Sequence, residues 1–498
     1  MHSIKPLLSG AALLALSASA SAQDLGIKAP PQQHEIMIYN ATIHPVSGPD
    51  IPMGFVFFDK GVITEVGAGM PPPRGKPGTG AVNAKGGHVY PGLIAAVTRL
   101  GLTEIPTVRA MRDSDETGSL TPEAKAITAV NPDSTLLPVT RAAGVLTAGV
   151  FPGGGLIGGC PAAIRLDGWT TEDMTVSPCL GVYVNYPSAR SGGGRRFQPQ
   201  PDSGDQAAEV RRNLDALDEV FKTARAYAAA RDADPSTPID IRWESIRGVF
   251  PSSSPSAPAE GVAKSARPGE AASSVSSPSS SSSATASTQA SGAGVPPAST
   301  HSTHQLPVFL QAADADQITQ AVTWAISLDL KPVIVGGRDA VQCADLLKRH
   351  HVPVIVQGVH PLPRRDDSPY DSVYSMPAQL ESLGLTWCLA SGEETPHERN
   401  LAANAGRAAA YGLPREAALR SITLAPAQIL GINDRLGSLE AGKSATIIIT
   451  DGDILEVTTK VTRAYIDGRE IDLSTKQSKL NEKYRERYRQ MGIISEGK

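Results

Sequence analysis

Metal-binding chemistry would need His, Cys, Asp and Glu at ligand spacing, and the chain holds ten histidines, four cysteines and fifty acidic residues. No His-x-His occurs, and none of Cys160, Cys179, Cys343 and Cys388 sits in a C-x-x-C pair, so thiolate zinc and thioredoxin chemistry are not indicated. Cys160 with Cys179, and Cys343 with Cys388, are candidate disulfides in an oxidising compartment; buried free thiols are the alternative. His360 and His397 each follow a strand-like run, and with Glu393 they form a conceivable metal set, against solvated loop histidines. His350 and His351 close a helical run, where a cation favours the last-turn carbonyls. His301 and His304 sit at the end of a Ser-rich tract, and the default there is a chance pair.

Two loops have the composition of a ligand pocket. HPLPRRDDSPYDSVYSMPAQL, residues 360–380, carries Arg364, Arg365, Asp366, Asp367, Tyr370 and Tyr374. Arginine grips carboxylates bidentately, so this loop suits a polar or anionic ligand, with a self-paired Arg–Asp surface as the alternative. HERNLAANAG adds Arg399 and Asn400. FPGGGLIGG, residues 151–159, lacks the Lys-Ser/Thr ending of a phosphate loop and reads as a flexible turn after a strand. Ser119, Ser134 and Ser177 lack a G-x-S-x-G context, so a serine-hydrolase triad has no support.

The elements that must position these residues follow a regular rhythm. EIMIYNATIHPVS and GFVFFDKGVITEVG read as short strands, with His44 on the first. A similar set returns in SATIIITDGDI and RAYIDGREIDL. Between them, HVYPGLIAAV, GVLTAGVF and LGVYVNY are strand-like. Residues 206–231 have helical spacing marked by Leu214, Leu217, Phe221 and Tyr227. From PVFLQAA to AALRSITLAPAQILG, short apolar strands alternate with helices, the pattern of βαβ units and a parallel sheet. Enough units fit between residues 88 and 435 for a closed (β/α) barrel.

Residues 251–305 break that rhythm. They are mostly Ser, Ala, Pro and Gly, cannot offset their ordering entropy, and read as a disordered insertion. At the start, Lys5, an apolar run and Ala20-Ser21-Ala22 form a cleavable signal peptide, residues 1–22, which points to a periplasmic or secreted protein. Lys5 is the one charged group removed, leaving 45 basic against 50 acidic residues, a balance of −5. That excludes a basic nucleic-acid face. No later run is long and apolar enough to span a bilayer, so no membrane partner is expected after cleavage.

Several segments together resemble the amidohydrolase superfamily, particularly its imidazolonepropionase-like and related exported members. They are GFVFFDKGVITEVG, then HVYPGLIAA, and at the far end ITLAPAQILGINDRLGSLEAGKSATIIITDGD with VTRAYIDGREI. The resemblance implies a distorted (β/α)8 TIM-like barrel, residues 88–435, beside a small composite β-sandwich from residues 23–87 and 436–475, with a C-terminal helix or tail over 476–498. It also implies a hydrolase acting on non-peptide, cyclic-amide-like carbon–nitrogen bonds, and zinc as the family's metal. The metal would lower the pKa of a bound water and polarise the scissile carbonyl.

The expected ligands are missing. A first-strand HxH belongs within Ala95, Ala96, Val97 and Thr98; Gln311 stands at the fifth-strand histidine and Gly336–Gly337 at the sixth. Ser391, Gly392 and Glu393 stand where the eighth-strand aspartate belongs. Hence no metal ligand is assigned and no cofactor is expected. Glu393 is the candidate catalytic base, and Gln311, Arg364, Arg365, Tyr370, Arg399 and Asn400 are the candidate pocket for a small-molecule ligand. Three readings stay open: a carbon–nitrogen hydrolase, a catalytically silent binding or structural module, and a metal-free enzyme using Glu393 with Arg364 or Arg399. A homodimer is the default assembly.

Overall fold

The computed structural model describes residues 26–72, 80–188, 203–251, 305–360, 363, 368–392 and 395–494. The segment expected to be a signal peptide, nearly all of the Ser-rich insertion, Glu393, Arg364 and Arg365 lie outside the described residues.

The chain opens with β1 (Ile36–Ile43), β2 (Ile51–Asp59), β3 (Val62–Ala68), β4 (Gly80–Asn83) and β5 (His88–Pro91). The middle supplies β6 (Leu93–Thr98), β7 (Val145–Val150), β8 (Ile157–Gly159), β9 (Ala162–Arg165), β10 (Thr175–Ser177) and β11 (Val182–Asn185). After the insertion come β12 (Pro307–Ala312), β13 (Lys331–Gly336), β14 (Val354–Gln357) and β15 (Trp387–Ala390). The chain ends in β16 (Ile447–Thr450), β17 (Val461–Ile466) and β18 (Arg469–Glu470).

The two chain ends build one hydrogen-bonded sheet, ordered β18-β17-β16-β5-β1-β2-β3, with β4 also paired to β1. The join is the antiparallel pairing of β16 with β5, Ile448 opposite Tyr90. Its enclosed core mixes both ends: Ile38, Ile43, Val56 and Phe58 pack with Ile447, Ile449 and Tyr465. Neither terminal half has a second face of its own, so each depends on the other for burial.

The barrel consists of a four-stranded sheet, β10-β9-β7-β6, and a six-stranded one, β15-β14-β13-β12-β11-β8. β6 and β7 are parallel, as are β11 through β15. The sheets meet along residues 157–165, where β9 runs antiparallel to β7 and β8 antiparallel to β11. On the other side β15 lies beside β6. There the Leu389 amide donates to the Ser421 carbonyl and the Ile94 amide to that of Ile422, so two consecutive residues stitch the closing seam. The result is a distorted TIM-like barrel in which an antiparallel segment replaces one parallel stave.

Helices clad this barrel. In Ala315–Ser327 the Asp314 side chain accepts from the Gln317 amide as N-cap, and Ile318, Ala321, Val322 and Ala325 are buried at helical spacing. Leu217 and Phe221 anchor the long helix Ser203–Ala233 in the same layer.

A buried ionic knot ties the barrel to the terminal sheet. Asp167 is almost fully enclosed and meets three cations: Arg141 at 2.9 Å, Arg469 at 2.9 Å and Lys28 at 3.3 Å. Arg141 also donates through Nε to the Asp472 carbonyl. Residues from four distant stretches of sequence thus share one carboxylate.

Of the two candidate disulfides, Cys160–Cys179 is formed, while Cys343 and Cys388 are free and buried. For Cys343 and Cys388 the structure takes the buried-thiol alternative: Cys388 faces the barrel interior from β15, whereas Cys343 belongs to the outer helix layer. Burial pushes both thiols up, which keeps them protonated and unreactive. Replacing Cys160 and Cys179 together by serine should lower stability by about 2–4 kcal/mol, the range for closing a loop of this order. Comparing the melting temperatures of the two forms under non-reducing conditions checks it, and equal values would show that the bridge does not restrain the unfolded chain. His44 lies just past the end of β1 rather than on it.

Candidate functional site at the barrel mouth

Alternate residues of the barrel strands face the interior, because side chains on a strand alternate between faces. Ile94, Ala96, Phe151, Tyr183, Phe309, Val333, Val335, Ile355, Cys388 and Ala390 form one buried cluster. The intervening Leu310, Ile334, Val356 and Leu389 pack outward with the helices. The lower interior is therefore a solid apolar core. Phe151 lies edge-on to Phe309 at 5.1 Å and to Tyr183 at 5.5 Å.

Polarity begins at the strands' C-terminal ends, two residues further along. Above Phe309 stands Gln311, above Ile355 stands Gln357, and above Tyr183 stands Asn185. The Tyr183 hydroxyl donates to Gln311 Oε1 at 3.1 Å, and Gln311 Nε2 donates to Gln357 Oε1 at 3.1 Å. Burial pushes Tyr183 up to about 12, so the phenol remains a donor at neutral pH. Gly336 makes room for this ladder: a Cβ there would lie 3.1 Å from Gln311 Nε2, and its φ of +106° suits glycine.

Loops cover the mouth beside the ladder. Asn185 Nδ2 donates to the carbonyls of Gly154 and Gly155, both at 2.8 Å. The Gly153 amide donates to the Ser114 carbonyl and the Leu156 amide to that of Ser119, each at 2.6 Å. A Cβ on Gly153 would fall 2.2 Å from Asp115 Oδ1 and 2.7 Å from Arg99 Nη2. The glycine-rich turn is thus pinned between the loop after β6 and the end of β11. Its glycines allow both this close packing and the positive φ of Gly154 and Gly155.

The residues singled out from the sequence do not gather at one point. Gln311 is in the lumen at the centre of the ladder. Tyr370 is 77% exposed, and Arg399 donates back to the Pro396 carbonyl at 2.8 Å. Asn400 is half-buried at the start of helix Leu401–Ala410. His360 Nε2 lies 2.7 Å from Asn404 Oδ1, and Asn404 Nδ2 reaches back to the Ser391 carbonyl at 3.5 Å. Sequence reading missed Tyr183, Asn185 and Gln357. Strand alternation from Gln311 across the register Gln311–Val335 and Gln357–Ala390 is the signal that finds them.

Among the described residues, the side chains that line this mouth are not those a divalent metal takes. The interior of β6 carries Ile94 and Ala96 with Val97 packed against them, and the Thr98 hydroxyl accepts from the Leu100 amide. β13 presents Val335 and β15 presents Ala390. Gly392 has φ +66°, and a Cβ there would lie 2.4 Å from the Gln357 carbonyl carbon, so no carboxylate can extend from it. Among the described residues no group of three or more His, Cys, Asp or Glu side chains is placed to hold a metal ion.

Two further features lie off the lumen. His44 Nε2 is 2.8 Å from His88 Nδ1 and His44 Nδ1 is 2.8 Å from Asp50, with Tyr90 stacked on His44 at 4.2 Å. Burial lowers the His44 pKa despite that carboxylate. This cluster belongs to the terminal sheet, where β1 pairs with β5. A surface hollow of about 580 Å³ is lined by Glu123 and Pro238 to Arg242, none of them lumen residues.

Residues 390–471 match the model of the Amidohydrolase family. Over 89 residues the chain is 38% identical to amidohydrolase tasK of Hapsidospora irregularis, a match that spans 18% of this chain and 9% of that protein. The crystal structure of an amidohydrolase from Thermotoga maritima MSB8 superposes with a TM-score of 0.67 at 21% identity, covering 88% of this chain and 99% of that one. An adenosine deaminase from Xanthomonas campestris with bound zinc gives 0.47 at 15% identity, covering 93% and 100%. Residues 390–471 thus carry an amidohydrolase-family match, and the chain shares the barrel fold of the Thermotoga maritima amidohydrolase.

Proposed function

We propose that this chain is an exported amidohydrolase-superfamily barrel that binds a small polar ligand at its mouth without a metal. The observation that carries the reading is the identity of the mouth residues. Ala96, Val335 and Ala390 occupy inward positions, and Gln311 and Gln357 bring hydrogen-bonding amides where metal chemistry needs imidazoles and carboxylates. Glutamine amides and a protonated phenol offer donors and acceptors to a neutral group such as a carboxamide, with no charge to desolvate. The formed Cys160–Cys179 bridge accords with export to an oxidising compartment such as the periplasm.

A second reading follows from the family match over residues 390–471: a hydrolase acting on carbon–nitrogen bonds of a cyclic-amide-like substrate. Elemental analysis separates the two. Protein purified without chelator from zinc-supplemented medium should contain metal well below one atom per chain. A carboxamide-bearing ligand at about 100 times its Kd should then stabilise the protein by about 2.7 kcal/mol, read as a rise in melting temperature. Gln311→Leu should abolish that rise. One zinc or more per chain retained through dialysis would overturn the metal-free reading and direct hydrolase assays instead.

A further inference from the structure

The helix Lys476–Gln490 has no buried residue. Isolated helices of this length are marginal in water, and this one carries local supports: a capping box of Thr475 with Ser478, and Arg489 paired with Glu486 at 2.7 Å. Its surface is not uniformly polar. Leu480, Tyr484, Tyr488 and Met491 recur at spacings of four, four and three, so they share one side of the helix. They are 41%, 46%, 44% and 57% exposed, and Ile493 just beyond is 61% exposed. Around the stripe stand Lys476, Lys479, Lys483, Arg485, Arg487 and Arg489 against Glu482 and Glu486. Six basic and two acidic residues give this helix +4. The whole chain sums to −4, so the remainder carries −8.

We propose that this face docks peripherally on an anionic phospholipid surface. The charge selects the partner: a basic helix on an acidic body is drawn to an anionic surface with the body turned away from it. Tyrosines suit a membrane interface, where the ring sits among apolar chains and the hydroxyl stays wet. Lysine and arginine stems flank the stripe with their charges free to reach headgroups. A second copy of the chain fits less well, since two-fold pairing of these helices would set +4 against +4. No helix among the described residues is long and apolar enough to cross a membrane, so the association is superficial and salt-sensitive. The inference does not rest on the reading of the barrel mouth. It revises the sequence-based expectation of a chain with no membrane partner after signal cleavage.

The test is co-flotation of the full chain with vesicles of phosphatidylcholine alone or with a minority of phosphatidylglycerol. Binding should be about tenfold or more stronger with phosphatidylglycerol, in line with several basic residues near the surface, and should fall as salt rises. The triple variant Leu480→Ser, Tyr484→Ser, Tyr488→Ser should lose it. Lys479→Gln with Lys483→Gln and Arg485→Gln should remove the preference for the anionic lipid. Unchanged melting temperatures would show that both variants still fold. Equal binding to the two vesicles, or persistence of binding in the triple variant, would overturn the proposal. So would a concentration-dependent dimer that the same serine substitutions dissolve.

Discussion

Replacing Asp167 by asparagine is expected to destabilise the protein by about 3–5 kcal/mol, the cost of removing one partner from a buried ionic cluster. The amide keeps the shape but cannot balance Arg141, Arg469 and Lys28, which meet this carboxylate with side chains 2%, 16% and 6% exposed. Those cations come from the first barrel crossover, the last strand and the N-terminal segment, so the loss should loosen the terminal sheet from the barrel. Thermal unfolding at neutral pH reads the effect. Adding Arg141→Met to Asp167→Asn should recover part of it, because it removes one of the unbalanced charges along with its desolvation cost. A change under about 1 kcal/mol in the single variant would mean that water or other groups already screen the cluster.

Phe309→Ala should cost a similar amount, about 3–5 kcal/mol, by opening a cavity in the barrel interior. Phe309 is fully buried, edge-on to Phe151, and a Cβ on Gly181 would lie 3.1 Å from its ring, so little room remains for neighbours to collapse into the void. It also stands directly below Gln311 on the same strand. The variant should therefore lose ligand-dependent stabilisation as well as intrinsic stability. Gln311→Leu should lose only the former. If Phe309→Ala melted normally, the lower lumen would be an adaptable space rather than the floor of the mouth.

The fold was largely legible from local pattern. Apolar runs such as PVFLQAA, KPVIVGG and VPVIVQG alternate with helices, and each became a parallel barrel strand. Burial on both faces imposes such runs, so the signal survives in a single sequence. The antiparallel segment at residues 157–165 was not legible, because three- and four-residue strands beside glycines carry no periodicity. His44 and His88 were each visible, but their contact joins residues 44 positions apart and depends on β1 pairing with β5.

At the mouth, composition pointed toward Tyr370 and Arg399, while the structure put Tyr183, Gln311 and Gln357 together. Loop residues advertise themselves by charge. Strand residues that line a lumen declare themselves only through register, which is a non-local property. The sequence by itself determined the superfamily resemblance, the barrel's strand-and-helix rhythm and which residue types stand near the metal positions, because these are written in local pattern and motif. Only the tertiary structure decided that Cys160 pairs with Cys179 while Cys343 and Cys388 stay apart, that Asp167 gathers three cations, and that the helix Lys476–Gln490 is left bare. Each of these depends on distances across the chain, and those are set when distant strands pair and bury a shared core.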